Sequence, residues 1–166
     1  MDEAVGNSNG GTEQPPNGNF HKIVIIGDGG CGKTSIGEVF VKGTFPDPEA
    51  YEPTVYSTLN KDMTMDGQTY KLQIEDTAGQ EEYKNMRSLV YPGTHCFIVC
   101  FDVGSNSSFK NVESIWMPET VGHSEKVVLC GTKSDLRKTK GPDCVSCLKN
   151  LPFIELLVSS LGCTLK

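Results

Sequence analysis

The stretch "GDGGCGKTS", residues 27–35, follows the apolar run "KIVII" and combines residue types that can hold a phosphate. It fits the pattern G-x-x-x-x-G-K-[ST], with a predicted strand before it and a predicted helix after it, which is the context this loop requires. Glycines let backbone N–H groups turn toward phosphate oxygens, and the helix start adds positive potential. Lys33 supplies a charge at the outer phosphates, and Thr34 offers its hydroxyl to Mg²⁺. A glycine-rich turn without a ligand is the alternative, and the context argues against it.

Every residue of this loop is assigned to phosphate binding, with Cys31 interpreted as a small filler rather than a reactive thiol. The assigned residues are Gly27, Asp28, Gly29, Gly30, Cys31, Gly32, Lys33, Thr34 and Ser35.

The segment "GTKSD", residues 131–135, carries groups that could select guanine. It ends a predicted strand, at the edge where doubly wound sheets bind ligands. Asp135 can accept hydrogen bonds from the ring N–H and the exocyclic amine of guanine, a pair of donors that adenine lacks. The stem of Lys133 can cover the base, and Thr132 belongs to the same loop. This segment therefore predicts a guanine site.

The segment "DTAGQE", residues 76–81, follows another predicted strand and carries groups for the third phosphate. Asp76 can hold Mg²⁺ through water, the N–H of Gly79 can meet the γ-phosphate, and Gln80 can orient an attacking water. A phosphate-loop kinase would share the first motif, but this segment and "TKSD" argue against a kinase.

The length, composition and charge of the chain limit its possible architectures and functions. The 166 residues suffice for one compact domain, and 37% hydrophobic with 22% charged residues fit a soluble globular protein. The net charge of -6 argues against nucleic-acid binding, because no basic surplus is present to displace counterions. No apolar run approaches the roughly 20 residues of a membrane-spanning helix, and no secretory signal is visible. We therefore expect a cytoplasmic protein whose seven cysteines stay reduced.

Buried-type strands alternate with helices along the chain. Strands are predicted at 21–27, 70–75, 96–103 and 126–131. Helical spacing predicts helices at 34–43 and 105–121. The pattern predicts an α/β fold of the phosphate-loop type, with a mostly parallel, doubly wound sheet and helices on both faces. Residues 1–20, rich in Gly, Asn and Pro, are predicted to be a disordered leader.

The motifs "GDGGCGKTS", "PTV", "DTAGQEEY" and "GTKSDL" together resemble those of small GTPases of the Ras superfamily. Similarity to the Rho family lies in "FPDPEAYEPTVY", "MRSLVYPGTH" and "IWMPE", and the phosphate loop with "TKSDLRK" is most similar to filopodium-associated Rho members. The resemblance covers Lys22 to Arg137 and implies a GTPase domain over residues 21–137. It implies a monomer that binds GTP or GDP with Mg²⁺. The implied partners are exchange factors, GTPase-activating proteins and effectors linked to the actin cytoskeleton.

The resemblance also implies roles for individual residues. Phe45 would stack on the guanine edge, Tyr51 would close over the phosphates, and Thr54 would bind Mg²⁺ and the γ-phosphate. Residues 45–56 and 78–92 would be the two switches, ordered by the γ-phosphate. The implied metal ligands are Thr34, Thr54 and Asp76, and the implied catalytic residues are Lys33 and Gln80.

Two internal departures from the Rho pattern bear on partner choice. Switch I, "FPDPEAYEPT", is longer between Phe45 and Thr54 than the usual form. Glu75 stands where Rho proteins usually carry an exposed tryptophan used for partner recognition. A charge there would remove an anchor for partners, so exchange factors that contact the tryptophan are not expected to recognise this chain.

Residues 138–166 diverge from the family and are too few for its remaining elements, since one strand-helix-strand unit takes roughly 30 residues. The run 151–162 could supply a last strand, with Ser159 and Ser160 near the guanine, but the closing helix has no room. Cys163 is fourth from the end, as in a prenylation site, although "CTLK" ends in lysine. Lipidation would bring the chain to the cytoplasmic face of the plasma membrane. The pair "CVSC", 144–147, is interpreted as chance spacing.

The sequence thus predicts a GTP/GDP-dependent switch that hydrolyses GTP slowly without an activating protein. The alternative is a truncated nucleotide-binding decoy that displays the switch surfaces without efficient GTP cycling. Stoichiometric guanine nucleotide in the purified protein would separate the two.

Overall fold

The computed structural model of the chain describes residues 18–47, 52–124 and 126–140. The strands in this part are β1 (Phe20–Gly27), β2 (Tyr56–Met65), β3 (Gln68–Thr77), β4 (Cys96–Asp102) and β5 (Val127–Thr132). The α-helices are α1 (Lys33–Lys42), α2 (Lys84–Val90), α3 (Asn106–Asn111), α4 (Met117–Thr120) and α5 (Leu136–Lys140). A 3₁₀ turn (Glu81–Tyr83) precedes α2, and a π-helical turn (Val112–Trp116) joins α3 to α4.

The strands form one sheet in the order β2-β3-β1-β4-β5. β1 pairs in parallel with β3 and β4, β5 pairs in parallel with β4, and β2 is antiparallel to β3. The chain passes from one side of β1 to the other between β3 and β4, so the carboxyl ends of the parallel strands meet in a crevice beside β1. The predicted mostly parallel α/β fold is confirmed.

Three of the four consecutive apolar residues in β1 are buried and Ile23 is half-buried, because both faces of the sheet are covered. Val24 and Ile26 face a cluster that includes Trp116, from the segment joining α3 to α4. Ile25 faces the opposite cluster, with Ile74 of β3 and side chains of α1. Successive residues of a strand point to opposite faces, so a continuous apolar run here supplies side chains to the core on each face of the sheet.

The helix predicted over 105–121 is interrupted. Ser105 caps its start as expected, accepting a hydrogen bond from the N–H of Ser108 at 3.3 Å. Before Pro118 the chain widens into the π-helical turn, because proline has no N–H to donate to the carbonyl of Ser114 and its ring crowds that carbonyl. Among the described helices, none is long and apolar enough to span a bilayer.

The hairpin of β2 and β3 contains a strand that the sequence analysis did not predict. β2 alternates half-buried and exposed residues, so it has no apolar run to reveal it. Its turn is Asp66-Gly67, with φ of 51° and 75°, the left-handed pair typical of a two-residue hairpin. The "DG" pair was the available signal.

The predicted boundary of the leader differs from the structure. Phe20 is the first residue of β1, and Asn19 donates from Nδ2 to the carbonyl of Thr69 at 3.0 Å. The predictions for residues 1–17 and 141–166, including Ser159, Ser160, Cys163 and the "CVSC" pair, lie outside the described residues.

We predict that Gly27→Ala destabilises the fold far more than Gly43→Ala. A Cβ at Gly27 would overlap the backbone carbonyl of Cys100 at a φ of 144°, whereas Gly43 has a left-handed φ of 75° and open space around it. We expect a loss of about 3 kcal/mol or more for Gly27→Ala and ~1 kcal/mol for Gly43→Ala. Urea unfolding without nucleotide measures both, and equal losses would contradict the close packing of β1 on β4.

Candidate functional site

The predicted phosphate loop lies between β1 and α1 and is shaped by glycines. Gly27, Gly30 and Gly32 have φ of 144°, 68° and 94°, values that L-residues rarely adopt. Gly32 precedes the first residue of α1, and no side chain caps that helix. The first N–H groups of a helix have no intrahelical partner, so these donors suit an anion such as phosphate.

The Lys33 side chain lies over the loop, and its predicted role toward phosphate stays a prediction. It is only 6% exposed, and its Nζ donates to the carbonyl oxygens of Gly27 and Asp28 at 2.8 Å each. The ammonium group is therefore held against the backbone of the glycine turn.

The three predicted metal ligands lie together, although they come from α1, the segment before β2, and β3. The Thr34 hydroxyl donates to Asp76 Oδ2 at 2.6 Å and shares a hydrogen bond of 2.8 Å with the Thr54 hydroxyl. Asp76 Oδ1 is a buried oxygen with no hydrogen-bond partner in the described structure. Two hydroxyls and a carboxylate form an oxygen donor set of the kind Mg²⁺ prefers, and the unpartnered oxygen supplies the place for a bound cation or its water.

The electrostatic environment of Asp76 also favours a bound cation. Burial raises the pKa of this carboxyl above its usual value, while the hydrogen bond from Thr34 and the charge of Lys33 lower it in part. Burial disfavours the ionised form, so a divalent cation would offset a desolvation cost that the neighbouring side chains leave uncompensated.

Gly79 and Gln80 lie directly after β3, against the phosphate loop. A Cβ added at Gly79 would overlap the backbone of Asp28 and Gly29. Only glycine permits this approach, which brings the backbone preceding Gln80 beside the loop that would hold the phosphates. The roles of the two residues toward a γ-phosphate remain predictions.

Arg87 of α2 is a residue of this site that the sequence analysis missed. Its Nη1 donates to the carbonyl oxygens of Ala78 at 3.1 Å and Gln80 at 2.7 Å, and its guanidinium pairs with Glu119 at 2.9 Å. An arginine in a short, exposed-looking helix carries no local signal of burial, yet Arg87 is 2% exposed. It holds the backbone on both sides of Gly79.

The predicted guanine-binding loop follows β5 at the same edge of the sheet. Thr132 is buried and donates its hydroxyl to the carbonyls of Cys31 at 2.5 Å and Phe101 at 3.0 Å, which ties this loop to the phosphate loop. Lys133 has a left-handed φ of 55°, and its Nζ pairs with Asp102 Oδ2 at 2.9 Å. The side chain of Asp135 is exposed beside them.

For the remaining predicted site residues, the structure shows mainly how exposed each one is. Phe45 is 75% exposed, consistent with a ring that a planar base could cover. Cys31 is buried, as a filler would be, and burial raises the pKa of its thiol. Ser35 is half-buried on α1, and Gly29 is exposed at the rim of the loop. Tyr51 lies outside the described residues.

Glu75, which stands where the family usually has a tryptophan, does not present its charge to solvent. The residue is 2% exposed, and its carboxylate accepts hydrogen bonds from Tyr56 at 2.6 Å, Thr58 at 2.7 Å and Gln73 at 2.7 Å. Three donors surround the charge and replace water, so the side chain folds under β2 instead of facing a partner.

Comparison with known proteins identifies the family of the chain. The model of the "Ras family" matches residues 22–151. The chain is 44% identical to "Rho-related GTP-binding protein RhoD" of Homo sapiens over 132 residues, 78% of this chain and 62% of the relative. It is 46% identical over 121 residues to "GTP-binding protein RHO3" of Saccharomyces cerevisiae, 72% of this chain and 52% of the relative. It is 44% identical over 121 residues to "Rho-related GTP-binding protein RhoF" of Mus musculus, 72% of this chain and 56% of the relative. The chain thus spans between half and two thirds of the length of these relatives.

We predict that Asp76→Asn removes the response of the protein to Mg²⁺. In the unaltered chain with GDP present, adding Mg²⁺ in place of a chelator should raise the melting temperature, because the cation neutralises a buried carboxylate. An amide has no charge to neutralise, so the rise should fall to about a fifth or less. Asp62→Asn, an exposed carboxylate on β2, is the control and should keep the full rise. An equal rise in both variants would contradict the metal site.

Proposed function

The chain belongs to the Ras family, among its Rho-related small GTPases, and we propose that it acts as a guanine-nucleotide-dependent switch that binds GTP or GDP with Mg²⁺ and hydrolyses GTP. The observation that carries the proposal is the meeting of three segments at one sheet edge. The uncapped start of α1, the Thr34, Thr54 and Asp76 oxygens, and the Gly79-Gln80 backbone lie around the glycine loop.

Hydrolysis follows from the placement of these groups. A water held by Gln80 attacks the γ-phosphorus, the new P–O bond forms as the bond to the β,γ-bridging oxygen breaks, and the leaving diphosphate keeps that electron pair. The proton lost by the water ends on the released phosphate. Lys33 and the N–H groups of α1 stabilise negative charge on the phosphate oxygens. Mg²⁺, when bound, would neutralise charge between the outer phosphates.

The loop after β5 supports guanine as the base. Thr132 ties the loop to the backbone of the predicted phosphate loop, and the exposed side chain of Asp135 follows three residues later. The partly exposed Lys133 side chain of the same loop forms an ion pair with Asp102. A base and a triphosphate joined by a ribose need both loops at one edge, and the loops after β1 and β5 both lie at the carboxyl edge of the sheet, which supports this proposal.

The proposal extends to partners and location. Exchange factors, GTPase-activating proteins and effectors linked to the actin cytoskeleton are the proposed partners, with one arginine supplied by an activating protein to speed hydrolysis. The exposed apolar side chains Val55, Met86 and Leu89 lie within the two predicted switches and offer a contact surface. A monomer in the cytoplasm is proposed, with plasma-membrane contact if Cys163 is lipidated.

We predict that Gln80→Leu leaves nucleotide affinity within about twofold and slows single-turnover GTP hydrolysis by tenfold or more. The side chain acts on the water in the transition state and not on the bound ground state. Gln68→Leu, an exposed position at the far end of β3, is the control and should hydrolyse GTP at the unaltered rate. Equal rates for all three proteins would rule out the role of Gln80.

We predict that Asp135→Asn exchanges a guanine preference for a xanthine preference, because xanthine carries a carbonyl where guanine carries an amine. Competition binding with GDP and XDP measures the change. Asp102→Asn is the control: it loosens Lys133 and should weaken both nucleotides by a similar factor. A variant at Asp135 that still prefers GDP would refute the base assignment.

A further inference from the structure

The carboxylate of Asp28 in the phosphate loop is held by two side chains from outside the loop. Trp116 donates its indole Nε1–H to Oδ1 at 2.7 Å, and Asn111 donates from Nδ2 to Oδ2 at 2.9 Å. Both donors lie on the α3 and π-helical segment. Each carboxylate oxygen is therefore attached to the same segment, so the loop and that segment must move together.

Arg87 of α2 holds a second part of the site, the backbone from Ala78 to Gln80. Its Nη1 spans the carbonyls of Ala78 and Gln80, while Nη2 and Nε donate to the Glu119 carboxylate at 2.9 and 3.3 Å. Tyr91 donates its hydroxyl to Glu119 at 2.6 Å, and burial with the nearby carboxylate raises the pKa of that phenol, so it stays a donor. Four donor contacts fix the orientation of one guanidinium group.

The two groups of contacts meet at Trp116. The Arg87 guanidinium lies over the indole ring, 4.8 Å from its centroid, and Trp116 is 1% exposed. One face of the ring thus supports the cation while its N–H reaches the phosphate loop. The π-helical turn that ends at Trp116 widens the helix at this point, a feature that is often found where function requires it.

We propose that Trp116 and Arg87 are positioning residues that couple the phosphate loop to Gln80 and so set the rate of GTP hydrolysis. This inference rests on the proposed function. When the Asp28 carboxylate moves, it shifts the Trp116 indole that is bonded to it. The indole in turn shifts the Arg87 guanidinium, which holds the carbonyls on either side of Gly79. Through these contacts, the presence of a γ-phosphate at the loop and the position of the water held by Gln80 depend on each other.

The geometry makes two substitutions informative. Lysine in place of Arg87 keeps a positive charge for Glu119, but its single ammonium cannot bond two backbone carbonyls and a carboxylate in the same planar arrangement. Phenylalanine in place of Trp116 keeps an aromatic face for the cation and removes the N–H donor to Asp28. Both variants retain most of the buried volume, so they separate positioning from simple loss of packing.

The control is Val99→Ala in β4, a fully buried residue of the same core cluster that lies outside the nucleotide site. It should lower the melting temperature through lost packing without changing the orientation of Arg87. Hydrolysis rates are compared between variants whose melting temperatures fall by similar amounts. This comparison removes the effect of general destabilisation on the rate.

The experiment uses the full chain loaded with GTP and Mg²⁺, in single-turnover hydrolysis, together with GDP affinity. We expect Arg87→Lys to hydrolyse GTP about tenfold more slowly and Trp116→Phe about fivefold more slowly, with GDP affinity within about twofold in both. Val99→Ala should keep its hydrolysis rate within about twofold while its melting temperature falls.

A second readout does not depend on turnover. Trp116 is the single tryptophan of the chain, so its fluorescence reports the contact directly. Replacing GDP by a non-hydrolysable GTP analogue should shift the emission of the unaltered chain and leave the emission of Arg87→Lys nearly unchanged, although both bind the analogue. The same shift in both proteins would overturn the coupling.

The outcomes distinguish this inference from the function on which it rests. An unaltered chain that binds GTP and does not hydrolyse it overturns the proposed function. An unaltered chain that hydrolyses GTP at a rate shared by Arg87→Lys and Trp116→Phe overturns the coupling alone. A loss of rate in Val99→Ala as large as that in Trp116→Phe also overturns it, because packing would then explain both.

Discussion

Backbone packed directly on backbone at the carboxyl end of β1 is the contact on which the site depends. Gly27 lies against the carbonyl of Cys100 on β4, and Gly79 lies against Asp28 and Gly29. No Cβ fits at either glycine, so the ends of β1, β3 and β4 can approach as closely as backbone allows. The uncapped start of α1, the carboxylate of Asp76 and the loop after β5 are all placed around that junction.

The parts of the site that the sequence predicted are those with local causes. The glycines of the phosphate loop are required by the turn itself, and β1 is an apolar run because both its faces are covered. Asp76 is near the carboxyl end of β3 and Asp135 follows β5, so their place at the carboxyl edge follows from parallel pairing. The fold class and the meeting of these segments could therefore be derived before any coordinates were known.

The parts that it did not predict depend on contacts between distant segments. Arg87 is buried because Glu119, 32 residues away, and two carbonyls surround it. Glu75 is buried because Tyr56 and Thr58 donate to it, and these lie on the strand that was itself not predicted. A charged residue in isolation favours exposure, and only the complete set of donors makes burial tolerable.

The register of the β2–β3 hairpin decides which side chains of β2 meet Glu75 and where Thr54, just before β2, lies relative to Asp76. Thr58 lies opposite Glu75 and Ser57 lies opposite Asp76, and neighbouring residues on a strand point to opposite faces. Glu75 thereby anchors β2 two residues after Thr54, while Asp76 reaches the Thr34 hydroxyl. A slip of β2 by one residue would turn Tyr56 and Thr58 away from Glu75 and would shift Thr54, which precedes β2, relative to Thr34 and Asp76. The contact between Thr34 and Asp76 itself depends on the pairing of β3 with β1. The left-handed Asp66-Gly67 turn, far from the phosphate loop, prevents that slip because a two-residue hairpin turn sets the pairing of both strands. The metal-ligand geometry of this protein is therefore determined in part by a turn at the opposite end of the sheet.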